Sequence, residues 1–121
     1  MRSRIPFTPV VYEHAARFVG RTPWEVSRDA GLLFEAHRAA YLEYRQQVIA
    51  VGIDIYNLEA EAYGARVEVV EDDAIPAIRQ PLLGCPEDGH DLPPFDPACA
   101  GRIPMVLAVG QRLRREFPEA D

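Results

Sequence analysis

An α/β fold, with several helices and two to three strands, is predicted for this chain of 121 residues. The run Val48–Ile53 is apolar except for Gly52, which suits a strand covered on both faces. A β-branched stretch at residues 67–70 indicates a second strand. Apolar residues recur at helical spacing in the segments around these runs. The length predicts a single domain over residues 1–121 with a modest core.

Helix-capping signals divide the first half of the chain into three predicted helices. Thr8-Pro9 supplies a cap and a first helical residue, and this first helix ends at Gly20. A capping box at Thr22–Glu25 begins a short second helix. Asp29 caps a third helix that runs from about residue 30 to residue 46.

The second half is predicted to contain a short helix, a strand, an acidic turn, an extended edge arm, a long loop and a final helix. The short helix covers residues 59–63, the strand 67–70, the turn 71–73, the arm 74–83 and the loop 84–101. The final helix opens at Arg102 and is limited by Pro118. Gly64 is expected to stop the short helix. Prolines in the arm confine it to the edge of a sheet.

Composition excludes several classes of function. The net charge is −6, so no basic footprint for nucleic acid is present. All thirteen basic residues are arginine, which excludes a Schiff-base or P-loop lysine within the chain. The only serines, Ser3 and Ser27, lack a glycine elbow, so a serine nucleophile is not expected. No apolar membrane span or secretory segment is present, and a cytoplasmic location is expected.

A cluster of carboxylates follows the first predicted strand and forms the candidate site. Asp54 lies where this strand stops, and ligands of α/β proteins bind beyond the carboxyl ends of strands. Asp is also a preferred helix cap, so Asp54 either binds a ligand, caps the next helix, or does both. On that helix Asn57 and Glu61 share a face, whereas Glu59 and Glu61 point about 200° apart. The two glutamates therefore cannot both line one pocket unless the segment is partly unwound, and Asn57 and Glu59 are preferred to Glu61 as neighbours of the site.

The histidines and cysteines give no clear metal signature. Cys85, His90 and Cys99 lie in one loop, but their spacing matches no common zinc motif, so they are interpreted as free loop residues. No metal ligand is predicted in this chain. His14 and His37 fall within predicted helices and are interpreted as structural residues, although His14 could also approach a site.

Three segments together resemble the uroporphyrinogen decarboxylase superfamily, which includes the cobamide-dependent methyltransferases. They are residues 12–25 followed by 33–37, residues 52–65, and residues 101–107. The resemblance implies the N-terminal part of a (β/α)8 TIM-type barrel, a fold that typically needs about 250 residues. It therefore also implies a fragment, a truncated paralogue or one piece of a split enzyme.

The resemblance also implies the roles of particular residues. Asp54 matches the family aspartate at the end of the first barrel strand, which faces the substrate and in the decarboxylases contacts the pyrrole nitrogens. Tyr56, Asn57 and Glu59 would then shape the pocket beside it. The arginine-rich N-terminal signature of the decarboxylases is absent, and residues 13–18 stand in its place.

The resemblance implies one of two functions for the complete protein. It would be either a tetrapyrrole decarboxylase, a lyase of porphyrin biosynthesis, or a corrinoid-linked methyltransferase, and its substrate would be a tetrapyrrole or a methylated small molecule. Zinc and a corrinoid would serve the methyltransferase, whose family zinc site lies beyond this chain. No independent catalysis by these residues is expected. The chain is expected to associate with itself, with a partner chain or with a corrinoid protein. The alternative is a non-enzymatic interaction module that pairs with another chain, because exposed strand edges recruit partners.

Overall fold

The computed structural model describes residues 8–71 and 74–121, and helices dominate these ranges. Two 3₁₀ turns, Ile55–Asn57 and Pro86–Asp91, accompany five α-helices. The helices are α1 (His14–Phe18), α2 (Pro23–Arg28), α3 (Ala30–Tyr44), α4 (Leu58–Ala62) and α5 (Ile103–Glu116). No helix within the described ranges has the length and apolar character needed to cross a membrane.

The prediction of an α/β fold, as the N-terminal part of a (β/α)8 barrel, is wrong for the described residues. They form no sheet, and their β-type pairing is the isolated antiparallel bridge between Glu68 and Ala77. This bridge joins the predicted second strand to the predicted edge arm through two backbone hydrogen bonds of 2.9 and 3.0 Å. The run 48–53 is irregular, because its backbone bonds go to side chains and to the chain terminus instead of to a neighbouring strand.

Capping signals predict the helix ends well except at α1. Glu25 and Thr22 form the predicted capping box of α2, and the Asp29 side chain accepts a hydrogen bond from Leu32 N at the start of α3. The predicted start of the first helix at Thr8-Pro9 is wrong, since α1 begins at His14. Tyr12 has a φ of 21°, which no α-helix contains, so a helix beginning at residue 8 could not continue through it. The predicted acidic turn at 71–73 falls partly outside the described residues.

Helix α3 is the centre of the core and packs against α1, α2 and α5. One face of α3 is buried, through Leu33, Phe34, Ala36, His37, Ala40 and Tyr41. Val109 and Leu113 of α5 belong to the same apolar cluster. The burial of this face is the main reason why α1, α2 and α5 hold together with α3, because helices in proteins gain most of their stability from tertiary packing.

A return segment, residues 46–54, leads from the end of α3 to the candidate site. Arg45 ends α3 in the left-handed conformation, with a φ of 50°. Ile49 N donates to Asp121 O at 2.8 Å, and Asp121 N donates to Gln47 O at 2.9 Å. Further along, Gly52 N donates to the imidazole of His37 at 2.9 Å. These bonds fix the segment against the helices and thereby position Asp54.

Candidate functional site

Asp54 ends the return segment in a strained and fully buried position. Its φ of 58° and ψ of 44° are left-handed, and its exposed fraction is 0%. Its backbone N–H donates to Glu13 Oε1 at 3.2 Å. Tyr12, the other strained non-glycine residue of this region, has its ring 6.3 Å from that of Tyr56. Strained residues persist where the surrounding structure holds them, and they concentrate at functional sites.

Two arginines and two carboxylates form an ion-pair cluster around this turn: Arg28, Asp54, Glu61 and Arg102. Arg102 Nη2 lies 3.0 Å from Asp54 Oδ2, and Arg102 Nε donates to Glu61. Arg28 donates to the other oxygen of Glu61 and stacks over the ring of Trp24, 4.4 Å from its centroid. Arg102 Nη1 also approaches the carbonyl oxygens of Ser27 and Ile53 at 3.4 Å. The cluster therefore joins α2, α4 and the start of α5 to the Asp54 turn.

The two carboxylates of the ion-pair cluster have opposite pKa shifts. Burial raises the pKa of Asp54, against the charge of Arg102 and the hydrogen bond from Asn57. Burial also pushes the pKa of Glu61 upward, but the hydrogen bonds and charges of Arg102 and Arg28 outweigh it, and that pKa is lowered. The difference follows from the number of cations each acid contacts, because Glu61 receives direct hydrogen bonds from both arginines.

Asn57 closes the other side of Asp54. Its Nδ2 group donates to Asp54 Oδ1 at 2.5 Å and to Pro76 O at 2.7 Å. Asn57 is half-buried, whereas its neighbour Tyr56 is 67% exposed. The amide therefore links the buried carboxylate to the segment around residue 76 and covers it from that direction.

The structure brings together only some of the residues predicted for the site. Asp54 and Asn57 are in direct contact, while Tyr56 and Glu59 are exposed and make no hydrogen bond to Asp54. Glu61, which ranked below Glu59 in the sequence argument, belongs to the ion-pair cluster instead. The capping interpretation of Asp54 is wrong, since its side chain makes no cap hydrogen bond to the following turn.

Sequence reasoning missed Arg28, Arg102 and Glu13. The signal for Arg102 was present, because it occupies the N-cap of α5, where the helix dipole disfavours a cation. A buried arginine at that position requires nearby carboxylates, and it is only 7% exposed here. Neither Arg28 nor Glu13 carries a comparable local signal, because each meets its partner across more than 30 positions of sequence.

Gly52 allows the return segment to pass close to the turn. Its φ is 142°, and a Cβ atom placed there would lie 2.6 Å from Ile55 Cγ2. Gly20 also has a positive φ, of 62°, but a Cβ atom there would meet nothing within 4 Å. The two glycines thus separate backbone strain from steric contact.

Substitution Gly52→Ala is expected to lower the free energy of unfolding by about 2–4 kcal/mol, because overpacking adds to the unfavourable φ. The matched substitution Gly20→Ala should cost about 1–2 kcal/mol, from φ alone. Urea denaturation of both variants measures the difference. Equal losses would mean that the segment moves away from Ile55 without cost.

The described residues do not fit the zinc site of the methyltransferase branch. Among residues 8–71 and 74–121, no three His, Cys, Asp or Glu side chains meet in an arrangement that could hold a metal ion. Cys85 and Cys99 are exposed, and the Cys99 thiol donates to Asp96 at 3.6 Å. The charge of Asp96 raises the pKa of this thiol, which disfavours the thiolate that zinc binds.

Comparison with known proteins identifies the family. A family model described as uroporphyrinogen decarboxylase (URO-D) matches residues 2–120, which is nearly the whole chain. The chain therefore belongs to the uroporphyrinogen decarboxylase family, as its three motif segments predict. No curated protein and no solved structure matches it.

Proposed function

We propose that this chain supplies one wall of the substrate site of a tetrapyrrole decarboxylase or a corrinoid-linked methyltransferase, with Asp54 as the ligand-binding carboxylate. Membership of the family supports this choice of reaction classes. The observation that carries the residue assignment is the strained, buried Asp54, which lies two positions before the exposed ring of Tyr56. A corrinoid would be carried by a partner protein, and the other walls of the site would come from further polypeptide.

The two oxygens of Asp54 have partners of different strength. Oδ2 is paired with the buried guanidinium of Arg102, and removing that partner would leave an uncompensated charge. Oδ1 accepts only from the neutral amide of Asn57, which a ligand can replace at lower cost. A ligand N–H group that displaces Asn57 would keep Asp54 fully hydrogen-bonded. This preference suits a pyrrole nitrogen of a reduced tetrapyrrole.

Tyr56, Asn57 and Glu59 have separate roles in this proposal. Asn57 leaves Oδ1 and remains bound to Pro76 O, the second acceptor of its amide. Tyr56 offers an exposed aromatic face beside Tyr12, and such a face would pack against one planar pyrrole ring of the macrocycle. Glu59 is exposed at the start of α4 and would contact a polar edge of the ligand.

The proposal is tested by measuring the binding of uroporphyrinogen under anaerobic conditions with equilibrium dialysis. The Asp54→Asn substitution should weaken binding about tenfold or more, because a charge-assisted hydrogen bond contributes about 1.5–3 kcal/mol. Asn57→Ala should bind at least as tightly as the wild type, since it removes the competing donor. Tyr56→Ala should weaken binding, because it removes the aromatic face proposed for the ligand. Tyr63→Ala, at another partly exposed tyrosine, is its matched control.

Methylcobalamin serves as the second probe and separates the two reaction classes. Saturable binding of the porphyrinogen supports the decarboxylase, and saturable binding of methylcobalamin supports the methyltransferase. Far-UV circular dichroism establishes that each variant is folded. If neither probe binds the folded wild type, or if Asp54→Asn binds as tightly as the wild type, the proposal is wrong.

A second candidate function, pairing with another polypeptide chain, has its own supporting observation. A groove of about 520 Å³ runs between α5 and residues 49–51, with Val51, Val106, Leu107 and Gly110 along it. Leu107 is 52% exposed and lines this groove beside the apolar side chains of Val51 and Val106. For self-association, light scattering should show a dimer that Leu107→Glu disrupts and that Leu42→Glu, on the exposed side of α3, leaves intact. A monomeric wild type would contradict self-association.

A further inference from the structure

His37 is a buried titratable residue with no part in the site described above, yet its partner belongs to the segment that carries Asp54. It lies in the middle of α3, and its exposed fraction is 0%. Its Nε2 atom accepts the hydrogen bond from Gly52 N at 2.9 Å. Its Nδ1 atom is buried and has no hydrogen-bond partner.

These contacts determine the protonation state of the ring. A nitrogen that accepts a hydrogen bond from N–H carries no proton, so the neutral ring must carry its proton on Nδ1. A proton taken from solvent would occupy the lone pair of Nε2. Two N–H groups would then face each other across 2.9 Å, and the bond to Gly52 would be lost.

We infer that His37 is a positioning residue, which holds the Asp54 turn in place only while its imidazole is neutral. Three contacts from side chains to backbone atoms hold residues 52–54: His37 with Gly52 N, Arg102 with Ile53 O, and Glu13 with Asp54 N. Of these three contacts, the one between His37 and Gly52 N is broken when a neutral group takes up a single proton, and the other two are not. Acidification therefore loosens the segment just before the carboxylate. The consequence for ligand binding rests on the function proposed above, but the loosening itself does not.

Charged and titratable groups on the elements packed against α3 are either engaged with other partners or, like Arg17 of α1 and Arg114 of α5, exposed. On α1, His14 contacts the Tyr44 hydroxyl of α3, and Glu13, just before α1, receives Asp54 N. Arg28 and Asp54 belong to the ion-pair cluster. The remaining groups pair as follows: Glu25 with Arg21, Arg112 over the ring of Phe34, Glu116 with Arg38, and Glu119 with Tyr41. Burial lowers the pKa of His37, to about 4.

This role is tested by measuring amide hydrogen exchange of the full chain by NMR at pH values between 7 and 4. The protection factor of Gly52 N–H should fall at least tenfold on acidification and fall further than that of Leu113, a buried residue of α5. His37→Gln keeps a neutral acceptor near the position of Nε2, so its Gly52 protection should stay constant. His37→Leu should leave Gly52 unprotected at every pH, and His14→Gln should behave as the wild type does.

Two outcomes would overturn the inference. One is Gly52 protection that falls only in parallel with Leu113, and the other is a His37→Gln variant that titrates as the wild type does. If His37→Gln does not fold, the tautomer of the wild-type imidazole provides the test. A proton on Nε2 at pH 7 would overturn the inference, because Nε2 could not then accept the bond from Gly52 N. None of these measurements uses a ligand. A failure of the proposed function would appear in the uroporphyrinogen and methylcobalamin experiments. It is therefore distinguishable from a failure of the inference about His37.

Discussion

Replacement of Arg102 by leucine should lower the free energy of unfolding by about 3–5 kcal/mol, the usual cost of breaking a buried ion pair from one side. Asp54 is fully buried and would lose Arg102, the one cation that contacts it directly among the described residues, whereas Glu61 would keep Arg28. The loss should therefore come mainly from Asp54. Urea denaturation at neutral pH measures it, from the midpoint and the slope of the transition.

A control and a double variant make this result specific to the ion-pair cluster. Arg114→Leu changes an exposed arginine of the same helix and should alter stability by no more than about 0.5 kcal/mol. Asp54→Asn combined with Arg102→Leu should cost less than the sum of the two single substitutions, since no unpaired charge remains. A single Arg102→Leu variant as stable as Arg114→Leu would show that Asp54 is not held by charge pairing.

Helix ends were predictable where the signal and its partner are close in sequence. The capping box of Thr22 and Glu25 and the cap by Asp29 each involve residues three positions apart. The exception is α1, whose predicted cap at Thr8 is overridden by the backbone of Tyr12. Nothing in the local sequence requires a positive φ at a tyrosine, because that conformation depends on packing around the Asp54 turn.

The strands were not predictable, because an apolar run reports burial but not a pairing partner. Residues 48–53 are not helical, but the predicted cover on both faces is wrong for most of the run, since Val48 is exposed and only Gly52 and Ile53 are buried. A strand also needs a second backbone within about 5 Å, and here the hydrogen-bond partners are the His37 ring and the Asp121 carbonyl. Both partners lie far away in sequence, at positions that no periodicity of the run identifies.

The candidate site was predictable as a location but not as a network. The end of an apolar run identified Asp54, and Asn57 was preferred as its neighbour, but helical geometry related Asn57 only to Glu61. Arg102 joins Asp54 across 48 positions of sequence, so only its unfavourable place at a helix start gave a signal. An arginine at the N-cap of a helix is thus worth treating as evidence for a buried carboxylate elsewhere in the chain.

Acidification from pH 7 to pH 4 should remove about 3 kcal/mol of stability through His37 alone. The pKa of this residue is lowered from 6.5 to about 4 by burial, and each pKa unit corresponds to about 1.4 kcal/mol. Between these pH values the unfolded chain binds the proton and the folded chain does not. The stability is therefore complete above about pH 6.5 and is lost progressively toward pH 4. Chemical denaturation at several pH values measures this slope.

The carboxylates of the ion-pair cluster should not produce the same slope. The raised pKa of Asp54 works in the opposite direction, because its folded form binds a proton more readily than its unfolded form. The lowered pKa of Glu61 removes stability only below about 4.5, the ordinary pKa of a glutamate. A His37→Gln variant should therefore show a nearly flat profile between pH 6.5 and pH 5, whereas the wild type declines. If both proteins decline equally in that window, a group other than His37 controls the acid stability of this fold.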